Sequence, residues 1–323
     1  MLDKYFSFND ISTYRSQLMG WAIIWIMMLH FRFLQIGPLG FIAQYGFAGV
    51  DVFMLVSGFG LYFSLEKDSR LKMFYKRRLI RIFPVYYLLG IISSAFIFHD
   101  SLFTYLFRYT TIGFWTGYVY WEWYVPSIVA LYLIAPIIKK LIDKDNLYLT
   151  TIVVIVLLFM SFYIVANEVV KEKDDHFFLV YRIPAFILGM QCAYWMKNDF
   201  SAKYFNLLLI IGIPCFALLF PHYHEIYNYK YFSLLFLLPS WVVCFIQLSK
   251  FLNILNPIIS EIGKASLEVY LIQTLFFHSI LIEKIVIPPV WHDAVTILLI
   301  VVSSVLGILV HRLIDKSGFL RCL

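Results

Sequence analysis

His30 closes the run WAIIWIMMLH, with nine apolar residues directly before it. A neutral imidazole can take a proton from an alcohol near neutral pH, and a carboxylate can orient the ring and stabilise its cation. Asp51, inside GFAGVDVFMLVSGFGL, is the carboxylate that the sequence offers for this work. Arg32 and Arg182, the latter in YRIPAFILGM, are further charged residues in apolar surroundings. Charges at membrane depth usually face a bundle interior, pair with one another and mark a functional path. The plainer reading of His30 is an interior histidine that only joins helices.

A second constellation is FYKRRLIRIFPVYYL, residues 74–88. Its Arg77, Arg78 and Arg81 carry planar guanidinium groups, which donate two parallel bonds to a phosphate. Arg78 and Arg81 are three residues apart and share a helix face. The alternative for these basic residues is the ordinary cytoplasmic bias of loops next to membrane spans. Pro84 is expected one turn into the following helix, where proline is tolerated. Residues 103–124 are rich in aromatics, among them Trp121, Trp123 and Tyr124. Such rings can stack on sugar faces, or belong to the aromatic belt of a membrane interface. His222 and His224 form an HxH pair without a third ligand at fixed spacing, which reads as a solvated loop, and no metal is expected. Cys192, Cys215 and Cys244 lie in apolar segments and Cys322 is near the end, a spacing that suggests neither zinc nor a disulfide framework.

The elements that must hold these residues follow from composition. The chain is 62% hydrophobic and only 14% charged, both far from a soluble domain and both pointing to an integral membrane protein. Aromatics reach 20%, as suits two membrane interfaces. The net charge of +6 does not argue for nucleic acid, because the basic residues fall in short segments between apolar stretches. The first residues, MLDKYFSFNDISTYR, are too polar and acidic for a secretory signal, so the first apolar segment is expected to stay as an anchor.

With about 20 apolar residues per span, the sequence predicts ten spans: 18–37, 46–65, 82–99, 124–142, 147–167, 177–196, 204–221, 231–249, 266–284 and 292–311. The stretch 102–123 reads as re-entrant or interfacial. With both termini in the cytoplasm, 19 of the 26 Lys and Arg fall on the inner side. The expectation is therefore an all-α, polytopic, single domain over 1–323, N-in and C-in. On a rise of about 1.5 Å per residue, His30 lies roughly 10 Å below the outer end of its span and Asp51 roughly 8 Å, with Arg182 at a similar depth.

Six segments in order, LMGWAIIWIMMLH, GFAGVDVFMLVSGFGL, YKRRLIRIFPVYYL, WYVPSIVALYLIAP, YRIPAFILGM and ASLEVYLIQ, make the chain resemble the membrane-bound acyltransferase family 3 from about residue 15 to 310. The resemblance implies a ten-helix membrane domain that moves an acyl group, often acetyl, from cytoplasmic acyl-CoA to a hydroxyl of an envelope glycan or lipid-linked sugar. It implies location in the cell's inner, cytoplasmic membrane, acetyl-CoA as donor substrate rather than a resident cofactor, and the lipid bilayer as partner. It places the family's span-1 histidine on His30, with Asp51 in the adjoining motif, and its CoA-phosphate arginines on Arg78 and Arg81. Arg182, Ser57 or a tyrosine could stabilise the oxyanion. The family often has an arginine eleven residues before the histidine, where this chain has Met19. Arg15, one turn away, could reach the same place. The family's late SYxxYLxH pattern ends here in Gln273, which keeps hydrogen bonding and loses a titratable group. Two other readings compete: a transporter or flippase for a glycan or lipid intermediate, and an inactive family member in a glycan-assembly complex.

Overall fold

The computed structural model describes residues 6–33, 37–68, 70–116, 122–144, 176–202, 230–278 and 289–317. Among them the secondary structure is helical throughout, with no strand. In chain order the helices are α1 (Phe8–Thr13), α2 (Arg15–His30), α3 (Gly37–Gln44), α4 (Gly49–Lys67), α5 (Leu71–Ser93), α6 (Leu102–Tyr109), α7 (Ile112–Trp115), α8 (Tyr124–Asp143), α9 (His176–Lys197), α10 (Lys230–Phe251), α11 (Asn256–Lys264), α12 (Ser266–Ile272) and α13 (Pro289–Lys316). A π-helical segment, Ser94–Phe98, follows α5, and another, Gln273–His278, continues α12.

Among the described residues, four helical stretches are long and apolar enough to cross a membrane: Gly46–Lys67, Leu71–Phe98, Tyr124–Asp143 and Trp291–Lys316. A fifth arises if the bent pair Leu237–Phe251 and Asn253–Lys264 is one broken span. The α13 helix exposes Leu298, Val301, Val305 and Leu309, one apolar stripe at helical spacing. Such a stripe suits lipid and not water. The segments 147–167 and 204–221, read as spans from the sequence, lie outside the described residues, as do His222, His224, Cys215 and Cys322.

Three expectations change. The first apolar segment does not run helically to residue 37, because α2 stops at His30. Helix α5 begins at Leu71, eleven residues before the predicted span, so Arg77, Arg78 and Arg81 stand on the helix itself and not in a loop entering it. Pro84 is consequently inside the helix and not in its first turn. The reason is that hydropathy locates the apolar part of a helix, while backbone hydrogen bonding continues through its charged turns. Of the stretch 102–123, the described residues hold the short helices α6 and α7, both far below spanning length.

The chain divides into two compact units. Unit 1 comprises Met1–Leu18, Asp51–Leu71 and Leu131–Asn256; unit 2 comprises Met19–Val50, Lys72–Ala130 and Pro257–Leu323. In unit 1, α4 and α9 touch backbone to backbone: a Cβ on Gly58 would meet the Phe186 carbonyl oxygen, and one on Gly189 the Leu55 carbonyl oxygen. Small residues permit this approach, which brings dispersion contacts that bulkier side chains would forbid. In unit 2, Gly46 and Gly49 lie against the α2 face formed by Ala22, Trp25, Ile26 and Leu29. Helix α13 packs on α12 at Gly307, where a Cβ would meet Val269.

Candidate active site

His30 is the last helical residue of α2, and its position is locked by the way that helix ends. Phe33 N–H donates to the Met28 carbonyl at 2.9 Å, and Arg32 N–H to the Leu29 carbonyl at 3.0 Å. This is the 6→1 and 5→2 pattern of a Schellman closure, with Arg32 at the left-handed position (φ 55°) where glycine is usual. The next carbonyl, Phe31, accepts from Thr296 Oγ1 at 3.1 Å, which ties the helix end to α13. The Trp25 indole, one turn earlier, donates to the Ile42 carbonyl at 2.7 Å. The backbone under the imidazole is therefore held from two sides.

The ring reaches across to the end of α12, with Nδ1 of His30 2.9 Å from Oε1 of Gln273. Gln273 is fully buried and opens the π-helical segment. Five residues earlier on the same helical run, Glu268 is fully buried and accepts from Arg81 through both carboxylate oxygens, at 2.6 and 3.1 Å. Nδ1 of His311 stands 3.1 Å from Glu268 Oε1, and the Arg81 guanidinium also donates to the Lys264 carbonyl at 3.2 Å. Between these two anchors, Tyr270 packs edge-on against Tyr124, with ring centres 5.4 Å apart. One short helical run thus contacts the histidine, an arginine of the KRRLIR segment and the tyrosine that opens α8. The five residues from Glu268 to Gln273 span about 7.5 Å of helical rise. The sequence reading placed the arginines at the inner face and the histidine in the outer half of the membrane, roughly 10 Å below the outer end of its span.

Of the other KRRLIR arginines, Arg78 lays its guanidinium over the Phe74 ring at 5.6 Å. Arg77 is half-buried on the same helix. In unit 1, Asp51 sits in the first turn of α4, where a carboxylate complements the helix dipole. It accepts from Nη1 of Arg182, and both side chains are buried. Each member of this pair lies one and two turns from the close glycine contacts of α4 and α9, so the ion pair and the backbone contact reinforce one helix crossing. Arg15, also in unit 1, places its guanidinium against Gly60.

Near α6, Arg108 is buried between two carboxylates. It donates through Nε and Nη2 to Glu122, stands 3.5 Å from Asp100, and lies over Phe98 at 4.2 Å. Burial alone would make this guanidinium easier to deprotonate, but the Glu122 contact outweighs it and holds the group more firmly charged than usual. Trp123 is half-buried and meets Tyr124 edge-on at 6.5 Å, whereas Trp121 lies outside the described residues. Among the described residues, no group of three or more His, Cys, Asp and Glu side chains is arranged to hold a metal ion.

Sequence reasoning did not single out Glu268, His311, Tyr270 or Glu122. Glu268 carried a usable signal, because a carboxylate inside ASLEVYLIQ is as unusual in an apolar segment as His30 in its own. His311 and Glu122 stand at the ends of apolar segments, where charge is ordinary and gives no signal.

Comparison with known proteins adds three findings. A family model described as "Acyltransferase domain" matches residues 18–312. A protein of Acidianus two-tailed virus named "Putative acetyltransferase ORF330" is 31% identical over 189 residues, covering 54% of this chain and 53% of its own length. The chain thus spans about half the length of this curated relative. No solved structure matches the chain.

Proposed function

This chain belongs to the acyltransferase-3 family, and we propose that it is an integral membrane O-acyltransferase. It would move an acyl group, acetyl in the first instance, from cytoplasmic acyl-CoA to a hydroxyl of an envelope or extracellular glycan or a lipid-linked sugar. The observation that carries this reading is the imidazole of His30, fixed at a helix end and hydrogen-bonded to Gln273, one and a half turns from the Glu268 that binds Arg81.

In this reading the acceptor hydroxyl gives its proton to His30, and its oxygen attacks the thioester carbonyl. The C–S bond breaks, and the CoA sulfur recovers the proton from the imidazolium. An ester and free CoA thiol leave, and the histidine returns to its starting state. Arg78 and Arg81 serve the donor phosphates. Glu268 fixes the Arg81 fork in place and offsets part of its charge. Trp123 and Tyr124 supply aromatic surface on the acceptor side. Asp51 and Arg182 are proposed to act as one paired unit. The exposed apolar stripe of α13 supports a bilayer as the surrounding medium.

The test is transfer by the protein reconstituted in sealed vesicles, with radiolabelled acetyl-CoA and an alkyl glucoside as sugar acceptor. Label on the glucoside, with release of CoA thiol, is the expected outcome, and donor should act only from one face. Absence of both transfer and thioester consumption overturns the reading.

A further inference from the structure

We infer that Gln273 is the positioning residue for the base: it holds His30 in the tautomer with the proton on Nδ1, so that Nε2 is the atom that takes the acceptor's proton. This rests on the acyl-transfer reading above.

The geometry carries the argument in two steps. The Gln273 amide has its own orientation set, because its Nε2 donates to Thr274 Oγ1 at 2.6 Å. That turns Oε1 toward the imidazole, where it stands 2.9 Å from Nδ1. An amide oxygen only accepts, so the ring nitrogen facing it carries the hydrogen. In neutral imidazole the second nitrogen then holds the lone pair. The Schellman closure and Thr296 fix the backbone from which the ring projects, and turning the ring over about its χ2 bond would break the Nδ1 contact with Gln273.

The choice of an amide has a chemical consequence. A carboxylate in this place would share the Nδ1 proton and strengthen the base. A histidine there would itself titrate and could present either a donor or an acceptor. The amide does neither: it cannot accept the Nδ1 proton outright, so every proton taken at Nε2 must leave from Nε2. The group that received the acceptor's proton therefore returns it to the CoA sulfur. The π-helical turn that begins at Gln273 is the local irregularity that aims this side chain, a device frequent at functional sites.

The experiment uses nitrogen-15 histidine NMR on the purified full chain in detergent, with the His30 signals assigned by their loss in His30→Ala. Wild type should show Nδ1 protonated and Nε2 unprotonated for the neutral ring. Gln273→Met, similar in size and without an acceptor of comparable strength, should give mixed tautomers. With acetyl-CoA and the alkyl glucoside, its kcat should fall on the order of 10- to 100-fold, part of the ~10²–10⁴ that a positioned base supplies. The KM for acetyl-CoA should stay within about twofold, since the substitution leaves the phosphate-binding arginines in place. Gln273→Glu, which restores an accepting oxygen, should restore the single tautomer. A wild-type ring protonated on Nε2, or a folded Gln273→Met with unchanged tautomer and kcat, overturns the inference. Should Gln273→Met not fold, the wild-type spectrum alone decides. Should wild type transfer no acetyl group, the enzyme reading falls while the tautomer result still stands or falls by itself.

Discussion

Asp51 with Arg182 in unit 1 and His30 with Gln273 in unit 2 are both polar contacts between distant parts of the chain, and they use opposite chemistry. In unit 1, Asp51 and Arg182 close on each other at a helix crossing made tight by Gly58 and Gly189. In unit 2, His30 meets a neutral amide at a helix end. A carboxylate clamped by a guanidinium has its charge offset and its lone pairs engaged, so it is a poor place to start proton transfer. An imidazole whose Nδ1 faces an amide oxygen keeps the lone pair on its second nitrogen. The difference teaches that the most deeply buried charge need not be the reactive one. A fully desolvated pair contributes positional certainty, while an imidazole on an amide is the arrangement that the proposed proton transfer calls for.

That comparison can be broken by substitution. The largest expected effect is on chemistry: His30→Ala should lower turnover by about 10²–10⁴, the range for a positioned general base, in a protein that still folds and inserts. Turnover within about tenfold of wild type in a folded variant would remove His30 as base. Next in size is stability. Asp51→Asn or Arg182→Gln leaves one buried charge without its partner and should cost about 3–5 kcal/mol, read as a fall in the thermal midpoint in detergent. The double variant Asp51→Leu, Arg182→Met should recover most of that loss, because two apolar groups of similar volume need no counter-charge. A single variant that melts like wild type would show that the pair does not hold the crossing.

Smaller effects sharpen the same contrast within unit 2. Arg78→Ala should weaken acetyl-CoA binding by about 1–3 kcal/mol and reduce its dependence on salt, with turnover at saturating donor preserved. Binding unaffected by this change would reduce Arg78 to a topology signal. The smallest expected effect is a gain: Arg32→Gly should stabilise the α2 terminus by roughly 0.5–1 kcal/mol, since glycine accepts the left-handed conformation without strain. A fall in the melting temperature would mean that the Arg32 side chain contributes more than its backbone costs.

Much of the helical framework was legible in order and extent. The predicted segments 124–142, 177–196, 231–249 and 292–311 correspond to Tyr124–Asp143, His176–Lys197, Lys230–Phe251 and Pro289–Lys316. The family was equally legible, because six motifs in order leave few alternatives. The candidate histidine stood out for a plain reason: a polar side chain amid nine apolar ones is expensive unless it is paired.

What surrounds that histidine was not legible. Hydropathy could not show that α2 ends at His30, because the residue taking the left-handed turn is arginine and not glycine. It could not show that the charged turns around Arg77 and Arg81 are helical, because a helix does not stop where its apolar face does. Nor could it bring Gln273 to His30 across 243 positions of sequence, or Glu268 to Arg81 across 187. Apolar length and the type of each residue are local properties, decided by the free energy of transfer from water, and the sequence by itself determined them. The choice of partner for each buried polar group is decided by which side chains the helix packing brings within hydrogen-bond reach. That is a property of the folded chain, and only the tertiary structure assigned the amide to the imidazole and the carboxylates to the arginines.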